Sequence, residues 1–332
     1  MTKKNTIEHL EKSLINAGLA VQRNTSLAQH TTFKIGGPAE LFITVADEKM
    51  LITALKIAHS FSLPHFLLGG GSNLLVREGG ISGLTIQDKT KGYSLSDSIK
   101  RIKGTNHRLL TVASGHTLAD LVYEISKEGY SGMEFLAGIP GTIGGAVCGN
   151  AGAYGLSIAD ILINAKVWRN NEITTILPEE LDYEYRNSRI KKSVQGGHFP
   201  EMVVLSATFK INDKQEPQTQ HPLQKVKEFI EHRKNRLPDK NTGCGGSYFK
   251  NLPPLPGESR KRAAGLLLDQ AGAKKLSVGD ARVFKDHANV IINSGSATAS
   301  DVLALAEQMK ELLRRKDHIE LEAEVMTVGK LR

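Results

Sequence analysis

Glycine gathers into a few dense runs along this chain, and these runs constrain what the chain can fold into. Residues 138–155 hold seven glycines in eighteen positions, among apolar neighbours. Residues 69–73 read Gly-Gly-Gly-Ser-Asn and directly follow the apolar segment 65–68. Glycine lets the backbone turn with positive φ and lets its N–H groups approach a bound group closely. One such run is commonly a tight turn, but two in one domain favour a dinucleotide site.

A third run, residues 243–246, leads into Ser247. No strand–GxSxG–helix context surrounds this serine, so the sequence disfavours an acyl-enzyme nucleophile and leaves a hydroxyl that can donate a proton. Lys250 and Asn251, just beyond it, suit a phosphate or a sugar. The neighbouring Cys244 is interpreted as a small packed residue, because no histidine partner is suggested nearby.

Two charged segments leave alternatives open. Arg186, within Tyr-Arg-Asn-Ser, has the chemistry to clamp a carboxylate or stabilise a developing oxyanion, although a lone arginine most often forms a surface salt bridge. Residues 320–325 alternate charged and apolar side chains. This alternation predicts a half-exposed strand with its carboxylates in water.

The composition disfavours several classes of protein. With 332 residues, the chain exceeds the size at which single cores divide, so we expect two or three domains. Its net charge of +8 comes from scattered lysines and arginines, which favours a small phosphorylated ligand or plain solubility over nucleic acid. The N-terminal segment lacks the apolar core of a signal peptide, and no apolar run is long enough for a membrane span, which predicts a cytoplasmic protein. Cys148 and Cys244 lie in no CxxC motif or Cys/His cluster, so we expect neither a disulfide framework nor a metal site.

Short strands alternate with helices along the sequence, which predicts an α+β or α/β fold. Strands are predicted at 42–45, 65–68, 74–76, 84–86, 109–113, 163–168, 202–211, 289–293 and 319–328, and helices at 6–17, 48–59, 118–128, 223–237, 260–271 and 299–315. Residues 212–222 are polar with two prolines and are interpreted as a linker, so we place a domain boundary near residue 212.

Together these segments resemble the UDP-N-acetylenolpyruvoylglucosamine reductase (MurB) family, from about Asn24 to Val328. The segments that carry the resemblance, in the order of the family, are His30–Ala39, Leu68–Val76, Gly138–Gly155, Tyr185–Ser188, Gly246–Asn251, Ala288–Asn289 and Glu324–Val325. The stretch between Ser188 and Ser247 lacks the extra substrate-gating segment of one subtype, so the chain resembles the shorter subtype.

The resemblance implies an α+β fold and a reaction. An N-terminal helix (1–22) would precede an FAD-binding domain of the PCMH or vanillyl-alcohol-oxidase type, made of two subdomains (23–211), and a C-terminal α/β substrate domain (212–332). FAD would be held non-covalently and reduced at N5 by NADPH. The reduced flavin would pass hydride to UDP-N-acetylglucosamine enolpyruvate, giving UDP-N-acetylmuramate, a peptidoglycan precursor.

The resemblance also implies roles for single residues. Hydride addition leaves an enolate, which Arg186 and Glu324 would stabilise, the glutamate being protonated through a raised pKa. Ser247 would donate a proton to the adjacent carbon. The expected substrate contacts are Tyr185, Lys250, Asn251 and His287. The expected cofactor-binding residues are Gly69, Gly70, Gly71, Ser72, Asn73, Leu74, Ile139, Pro140, Gly141, Thr142, Gly144, Gly145, Asn150 and Gly152.

The sequence departs from the family pattern at two places. Leu252 stands before Pro253, and Ala323 replaces the proline usually seen before the glutamate. Glu322, on the same face of the predicted strand, is therefore an alternative to Glu324 as the catalytic carboxyl.

Two other classes of protein remain as alternatives. An oxidase of the same fold often tethers its flavin covalently, and Cys148 would be the nearest candidate here. A non-enzymatic protein that binds anions or nucleic acid explains the net charge but not the glycine runs. We expect a monomer with no nucleic-acid or membrane partner.

Overall fold

The computed structural model describes residues 3–102, 104–194, 200–216, 218–234, 236–239, 241–258 and 260–331, in which helices and strands alternate. The helices are α1 Lys3–Asn16, α2 Glu48–Ser60, α3 Leu118–Lys127, α4 Ile143–Gly149, α5 Ile158–Ile161, α6 Arg189–Val194, α7 Pro222–Lys234, α8 Ala264–Gln270 and α9 Ala299–Asp317. The strands are β1 Val21–Ser26, β2 Pro38–Val45, β3 His65–Leu68, β4 Leu74–Val76, β5 Ile81–Asp88, β6 Tyr93–Leu95, β7 Lys100–Ile102, β8 Thr105–Ala113, β9 Gly152–Ala153, β10 Leu156–Ser157, β11 Leu162–Arg169, β12 Glu172–Ile176, β13 Val203–Asn212, β14 Gly243–Ser247, β15 Ser277–Val278, β16 Ala281–Phe284, β17 His287–Asn293 and β18 Met326–Val328.

The chain divides into two compact units, each built from separate stretches of sequence. Unit 1 comprises Met1–Thr25, Glu40–Gly70 and Ser82–His232, and unit 2 comprises Ser26–Ala39, Gly71–Ile81 and Arg233–Arg332. Among the described residues, no helix is both long and apolar enough to cross a bilayer.

The first layer of unit 1 is a sheet in the order β1-β2-β5-β3, accompanied by α1 and α2. Helix α2 begins where the Asp47 carboxylate accepts the backbone N–H of Met50, at 2.8 Å, which satisfies one of the free amides of the first turn. Its Leu51 and Leu55 are fully buried in the same apolar cluster as Leu41 of β2. Strands β3 and β5 are parallel, and β3 ends where the first glycine run begins.

The second layer of unit 1 is a sheet in the order β12-β11-β13-β8-β6, with β7 also paired to β8. Its neighbouring strands are antiparallel. Helices α3 and α4 contribute to the core under this sheet, where Leu121 and Val147 are buried with Phe209 of β13. Burial of this apolar face is the main stabilising term for the layer.

Unit 2 contains an antiparallel sheet in the order β14-β17-β16-β15, with α8 and α9 contributing to its core. Helix α9 begins with a capping box, in which the Thr298 hydroxyl accepts the Asp301 amide and the Asp301 carboxylate accepts the Thr298 amide. Strands β4 and β18 form a separate parallel pair, with Leu74 opposite Met326.

Three segments differ from their prediction in the type of element that they form. The predicted strand 319–328 is wrong for most of its length, because only Met326–Val328 is a strand and Ala323 forms an isolated bridge to Phe249. The third glycine run, for which no strand was predicted, lies in strand β14. The second glycine run contains helix α4, which the sequence did not suggest.

Candidate active site

In unit 1 the first and second glycine runs touch each other. A Cβ atom added to Gly70 would lie 2.8 Å from the Cα atom of Gly141, and one added to Gly69 would lie 2.5 Å from the Thr142 hydroxyl oxygen. Separations this short are not compatible with side chains, so glycine is needed for the two runs to approach. Residues separated by some 70 positions in sequence thus form one surface.

Helix α4 follows the contact and fixes the second run. Gly141 has φ of +121°, a conformation that residues with side chains rarely adopt. Thr142 is the N-cap residue of α4, and its hydroxyl accepts the Gly145 amide at 3.4 Å. The Gly144 amide donates to the Ser114 carbonyl at 2.7 Å, which holds the first turn of α4 beside the end of β8.

Three backbone amides at this contact are candidates to bind an anion. Within the described residues, the amides of Gly70, Gly141 and Thr142 donate to no protein acceptor. Gly70 is exposed and Gly141 is half-buried, so neither is sealed away from a ligand. A pyrophosphate accepts several N–H donors and tolerates no bulk beside it, so these residues fit the pyrophosphate of FAD.

The remaining predicted cofactor residues are divided between the two units. Ile139, Pro140, Gly144, Gly145, Asn150 and Gly152 lie in unit 1, whereas Gly71, Ser72, Asn73 and Leu74 lie in unit 2. The Asn150 side chain is engaged within the protein, since its amide donates to the Glu184 carbonyl and its oxygen accepts the Ala159 amide. Direct contact of these residues with a cofactor stays a prediction.

Arg186 and Tyr185 lie in a tight turn of unit 1. The amides and carbonyls of Glu184 and Asn187 bond to each other, each at 3.1 Å, and Arg186 between them has φ of +59°. The Arg186 guanidinium lies 5.8 Å from the centre of the Tyr185 ring, within cation–π range. The guanidinium is therefore presented from a defined turn rather than from a regular helix or strand.

In unit 2, Ser247 ends strand β14 and is exposed. The residues after it are held firmly by Asn289. The Asn289 backbone carbonyl accepts the Tyr248 amide at 2.7 Å. The Asn289 side chain accepts the Phe249 amide and donates to the Phe249 carbonyl. The Ser247 side chain is therefore accessible, and it lies at the edge of a segment that these hydrogen bonds hold in place.

Glu324 is tied to this same segment. Its amide donates to the Tyr248 carbonyl at 2.8 Å, and its carbonyl accepts the Asn73 side-chain amide at 3.1 Å. The Asn73 carbonyl in turn accepts the Met326 amide at 3.1 Å. Unit 2 therefore brings the predicted proton donor and the predicted carboxyl onto neighbouring backbone, although Ser247 and Glu324 are 77 positions apart in sequence.

Glu322, the alternative carboxyl, has a different environment. Its side chain is 70% exposed and accepts the Lys250 ammonium at 2.6 Å. The Lys250 amide also donates to the Glu322 carbonyl. Glu322 is thus engaged in an exposed ion pair, whereas Glu324 is half-buried, and the assignment of the catalytic carboxyl to Glu324 stays a prediction.

The predicted substrate residues of unit 2 have distinct settings. The Asn251 side chain accepts the Ala264 amide at the start of α8, at 3.2 Å. His287 is half-buried against Gly265, and burial lowers the pKa of its imidazole, which favours the neutral form. Unit 2 therefore provides the ammonium of Lys250, the side-chain amide of Asn251 and the imidazole of His287.

Sequence reasoning missed the residues behind the second glycine run. The Ser114 hydroxyl donates to the Asp88 carboxylate, whose other oxygen accepts the Thr90 amide, and the Thr90 hydroxyl accepts the Gly115 amide. These buried polar residues lie where β5 and β8 end, and they fix Ser114 against Gly144. Polar residues immediately after two apolar strands were the available signal.

The structure does not support the alternative in which the flavin is bound covalently through Cys148. Burial raises the pKa of the Cys148 thiol to about 11, so the thiol is protonated at neutral pH and is a poor nucleophile.

Comparison with known families agrees with these features. Residues 39–174 match the family described as FAD binding domain, and residues 238–328 match UDP-N-acetylenolpyruvoylglucosamine reductase, C-terminal domain. The predicted fold class is confirmed: an α+β protein with an FAD-binding domain of the PCMH type and the C-terminal domain of this reductase family. The protein is therefore a flavin-dependent oxidoreductase.

Relatives cover nearly the whole chain. UDP-N-acetylenolpyruvoylglucosamine reductase of Anoxybacillus flavithermus is 37% identical over 98% of this chain and 100% of its own length. The enzyme of the same name from Bacillus subtilis is 33% identical over 97% of this chain and 98% of its own length. The crystal structure of the reductase (MurB) from Thermus caldophilus superposes with a TM-score of 0.71, at 30% identity, covering 94% of this chain and all of the other. The chain belongs to the UDP-N-acetylenolpyruvoylglucosamine reductase family.

Proposed function

We propose that this protein uses NADPH and FAD to reduce UDP-N-acetylenolpyruvoylglucosamine to UDP-N-acetylmuramate, in peptidoglycan precursor synthesis. The observation that carries the proposal is the contact between Gly70 and Gly141 in unit 1, with three amides that donate to no described protein acceptor. Relatives that align with nearly the whole chain are named UDP-N-acetylenolpyruvoylglucosamine reductase. Bound FAD would accept hydride from NADPH and deliver it to the enolpyruvyl double bond.

The chain's own residues would manage the charge that hydride addition creates. Addition to the methylene carbon leaves an enolate delocalised into the carboxylate, and the Arg186 guanidinium is suited to bind it. Glu324 would share this role in its protonated form, and its main chain is held by Tyr248 and Asn73. Ser247 would donate its proton to the neighbouring carbon, because its hydroxyl is exposed at the end of a rigid strand.

Substrate contacts are proposed at Tyr185, Lys250, Asn251 and His287. Lys250 suits a phosphate or a carboxylate because its present partner, Glu322, is mostly exposed and can exchange for a ligand. A neutral His287 would donate or accept a single hydrogen bond without adding charge. We also propose that the protein is a monomer of the shorter subtype and that it is located in the cytoplasm. The proposed division into domains remains 1–22, 23–211 and 212–332.

The test separates the two half-reactions in the absence of oxygen. NADPH should bleach the flavin absorbance of the purified protein, and the enolpyruvyl nucleotide should restore it. We expect Ser247→Ala to leave bleaching within about twofold and to slow recolouring by about 10²–10⁴-fold, the usual contribution of a positioned acid. Ser277→Ala, at an exposed position of β15 in the same sheet, is the matched control and should change neither rate.

Two outcomes would contradict the proposal. A colourless protein that FAD cannot reconstitute would remove the cofactor assignment. Equal slowing of both half-reactions in Ser247→Ala would remove the proton-donor role while leaving the reductase assignment in place.

A further inference from the structure

The turn that carries Arg186 has an unusual backbone conformation. Arg186 has φ of +59°, in the left-handed region that side-chain-bearing residues rarely occupy. Such a conformation persists only where surrounding contacts determine it, and it is commonly found at functional sites. The contacts around this turn therefore indicate how the guanidinium is aimed.

A buried lysine supplies one of these contacts. Lys191, in the first turn of α6, is 6% exposed, and its ammonium donates to the Arg186 carbonyl at 3.1 Å. Removing an ammonium from water is costly unless its protons are bound, so lysine is seldom used where packing alone is needed. A charged donor on a main-chain carbonyl also makes a stronger hydrogen bond than a neutral donor does.

The same turn is anchored at two more points, to Cys148 of helix α4 and to Asn150, which directly follows α4. The Ser188 hydroxyl donates to the Cys148 carbonyl at 2.6 Å and accepts the Lys191 amide at 3.2 Å. The Asn150 side chain donates to the Glu184 carbonyl at 3.0 Å. These anchors lie on either side of Arg186, and the Lys191 bond acts on the peptide carbonyl of Arg186 itself.

We propose that Lys191 is a positioning residue for the reductive step, whose ammonium fixes the Arg186 main chain in its left-handed conformation and so directs the guanidinium toward the enolate. This role rests on the proposed function, because it requires Arg186 to act on the substrate. In this role the effect of Lys191 passes through Arg186.

The next residue along the chain provides a matched control. Lys192 is exposed and donates to the Glu184 side chain at 2.6 Å, and the described hydrogen bonds link its side chain to no main-chain carbonyl of the turn. Lys192→Met therefore removes the same chemical group from the adjacent position without releasing the Arg186 carbonyl.

The experiment compares Lys191→Met, Lys191→Gln, Lys192→Met, Arg186→Ala and the Lys191→Met/Arg186→Ala double variant, all with FAD bound. Flavin bleaching by NADPH and recolouring by the enolpyruvyl nucleotide are measured separately without oxygen, together with the thermal midpoint. For Lys191→Met we expect recolouring to slow by about 10²-fold, the scale for misplacing a catalytic group by about 1 Å, while bleaching changes less than about twofold. Lys191→Gln, which keeps a neutral N–H donor, should lie between Lys191→Met and the unmodified protein, and Lys192→Met should match the unmodified protein.

The double variant distinguishes positioning from general stability. If Lys191 acts through Arg186, Lys191→Met should add no further slowing in the Arg186→Ala background, so the two effects should be strongly non-additive. Additive slowing, equal loss in both half-reactions, or recolouring at the unmodified rate in Lys191→Met would each overturn the role of Lys191. If Lys191→Met does not retain FAD, the Gln variant decides, and selective slowing of recolouring is again required. Failure of the nucleotide to recolour the unmodified protein would instead overturn the proposed function, and the Lys191 role with it.

Discussion

At the scale of single residues, the contact between Gly70 and Gly141 makes a direct prediction about cofactor affinity. A Cβ at Gly70 would lie 2.8 Å from a main-chain atom of Gly141, so Gly70→Ala forces the two runs apart. We expect FAD affinity to fall at least about tenfold, because donors displaced by a fraction of an ångström no longer make short bonds to a phosphate. Fluorescence titration of the apoprotein with FAD measures this change.

The control for that substitution lies within the second run. Gly149 ends helix α4, and a Cβ there would meet no atom within 4 Å. Gly149→Ala should retain FAD affinity, because alanine fits a helix better than glycine does. Equal affinity for Gly70→Ala and Gly149→Ala would show that the contact does not shape the cofactor site.

At the scale of elements, one ion pair should make the stability of the second sheet depend on pH. The Arg108 guanidinium of β8 donates to the carboxylate of Asp213, which directly follows β13, and this hydrogen bond lowers the pKa of Asp213. A carboxyl with a lowered pKa contributes stability above its unfolded pKa of about 3.9, and that contribution is lost as the pH falls through the folded pKa. Asp213→Asn should therefore cost about 2 kcal/mol at pH 7 and less near pH 3, below the unfolded pKa.

Urea unfolding at the two pH values measures this difference. Asp120→Asn, at an exposed position in α3, serves as the control and should change the free energy of unfolding by less than about 0.5 kcal/mol at either pH. A cost for Asp213→Asn that stays constant from pH 7 to pH 3 would contradict the ion-pair explanation.

Elements governed by local sequence could be predicted, and those governed by distant contacts could not. Strand β3 has the predicted bounds, and α2 and α3 end within one residue of theirs, because apolar spacing and an Asp or Thr before the helix are local signals. Strand β14 was missed because a residue distant in sequence requires a glycine there. A Cβ at Gly245 would lie 2.3 Å from the ring of Phe33. No pattern within residues 243–247 could reveal that packing.

The candidate site shows the same division. The glycine runs and Ser247 could be selected from the sequence, because residue type and clustering suggest their chemistry. The different settings of Glu322 and Glu324 could not be predicted, since they depend on Lys250 pairing with one carboxyl and Asn73 binding the backbone of the other. Lys191 gave no sequence signal at all, because a buried lysine looks like an exposed one until the fold is known.

At the scale of the whole molecule, cofactor binding should raise the thermal midpoint. A ligand that binds only the folded protein, at about 100 times its Kd, adds about 2.7 kcal/mol to the free energy of unfolding. We expect the apoprotein to unfold several degrees below the FAD-bound protein, as measured by circular dichroism during heating.

Riboflavin is the informative control for that shift. It carries the flavin ring without the pyrophosphate and the adenosine, so it should raise the midpoint much less than FAD if the amides of the glycine runs bind phosphate. Equal shifts from riboflavin and FAD would locate the binding energy at the ring and would contradict the role given to those amides.

The parallel pairing of β4 with β18 affects how the protein can be made in the cell. The two strands are separated by about 250 residues, and ribosomes release them in that order. During translation β4 cannot pair with β18 until β18 has been synthesised. Unpaired strand edges promote aggregation. The β4–β18 pair can therefore form only after the residues between the two strands have been synthesised.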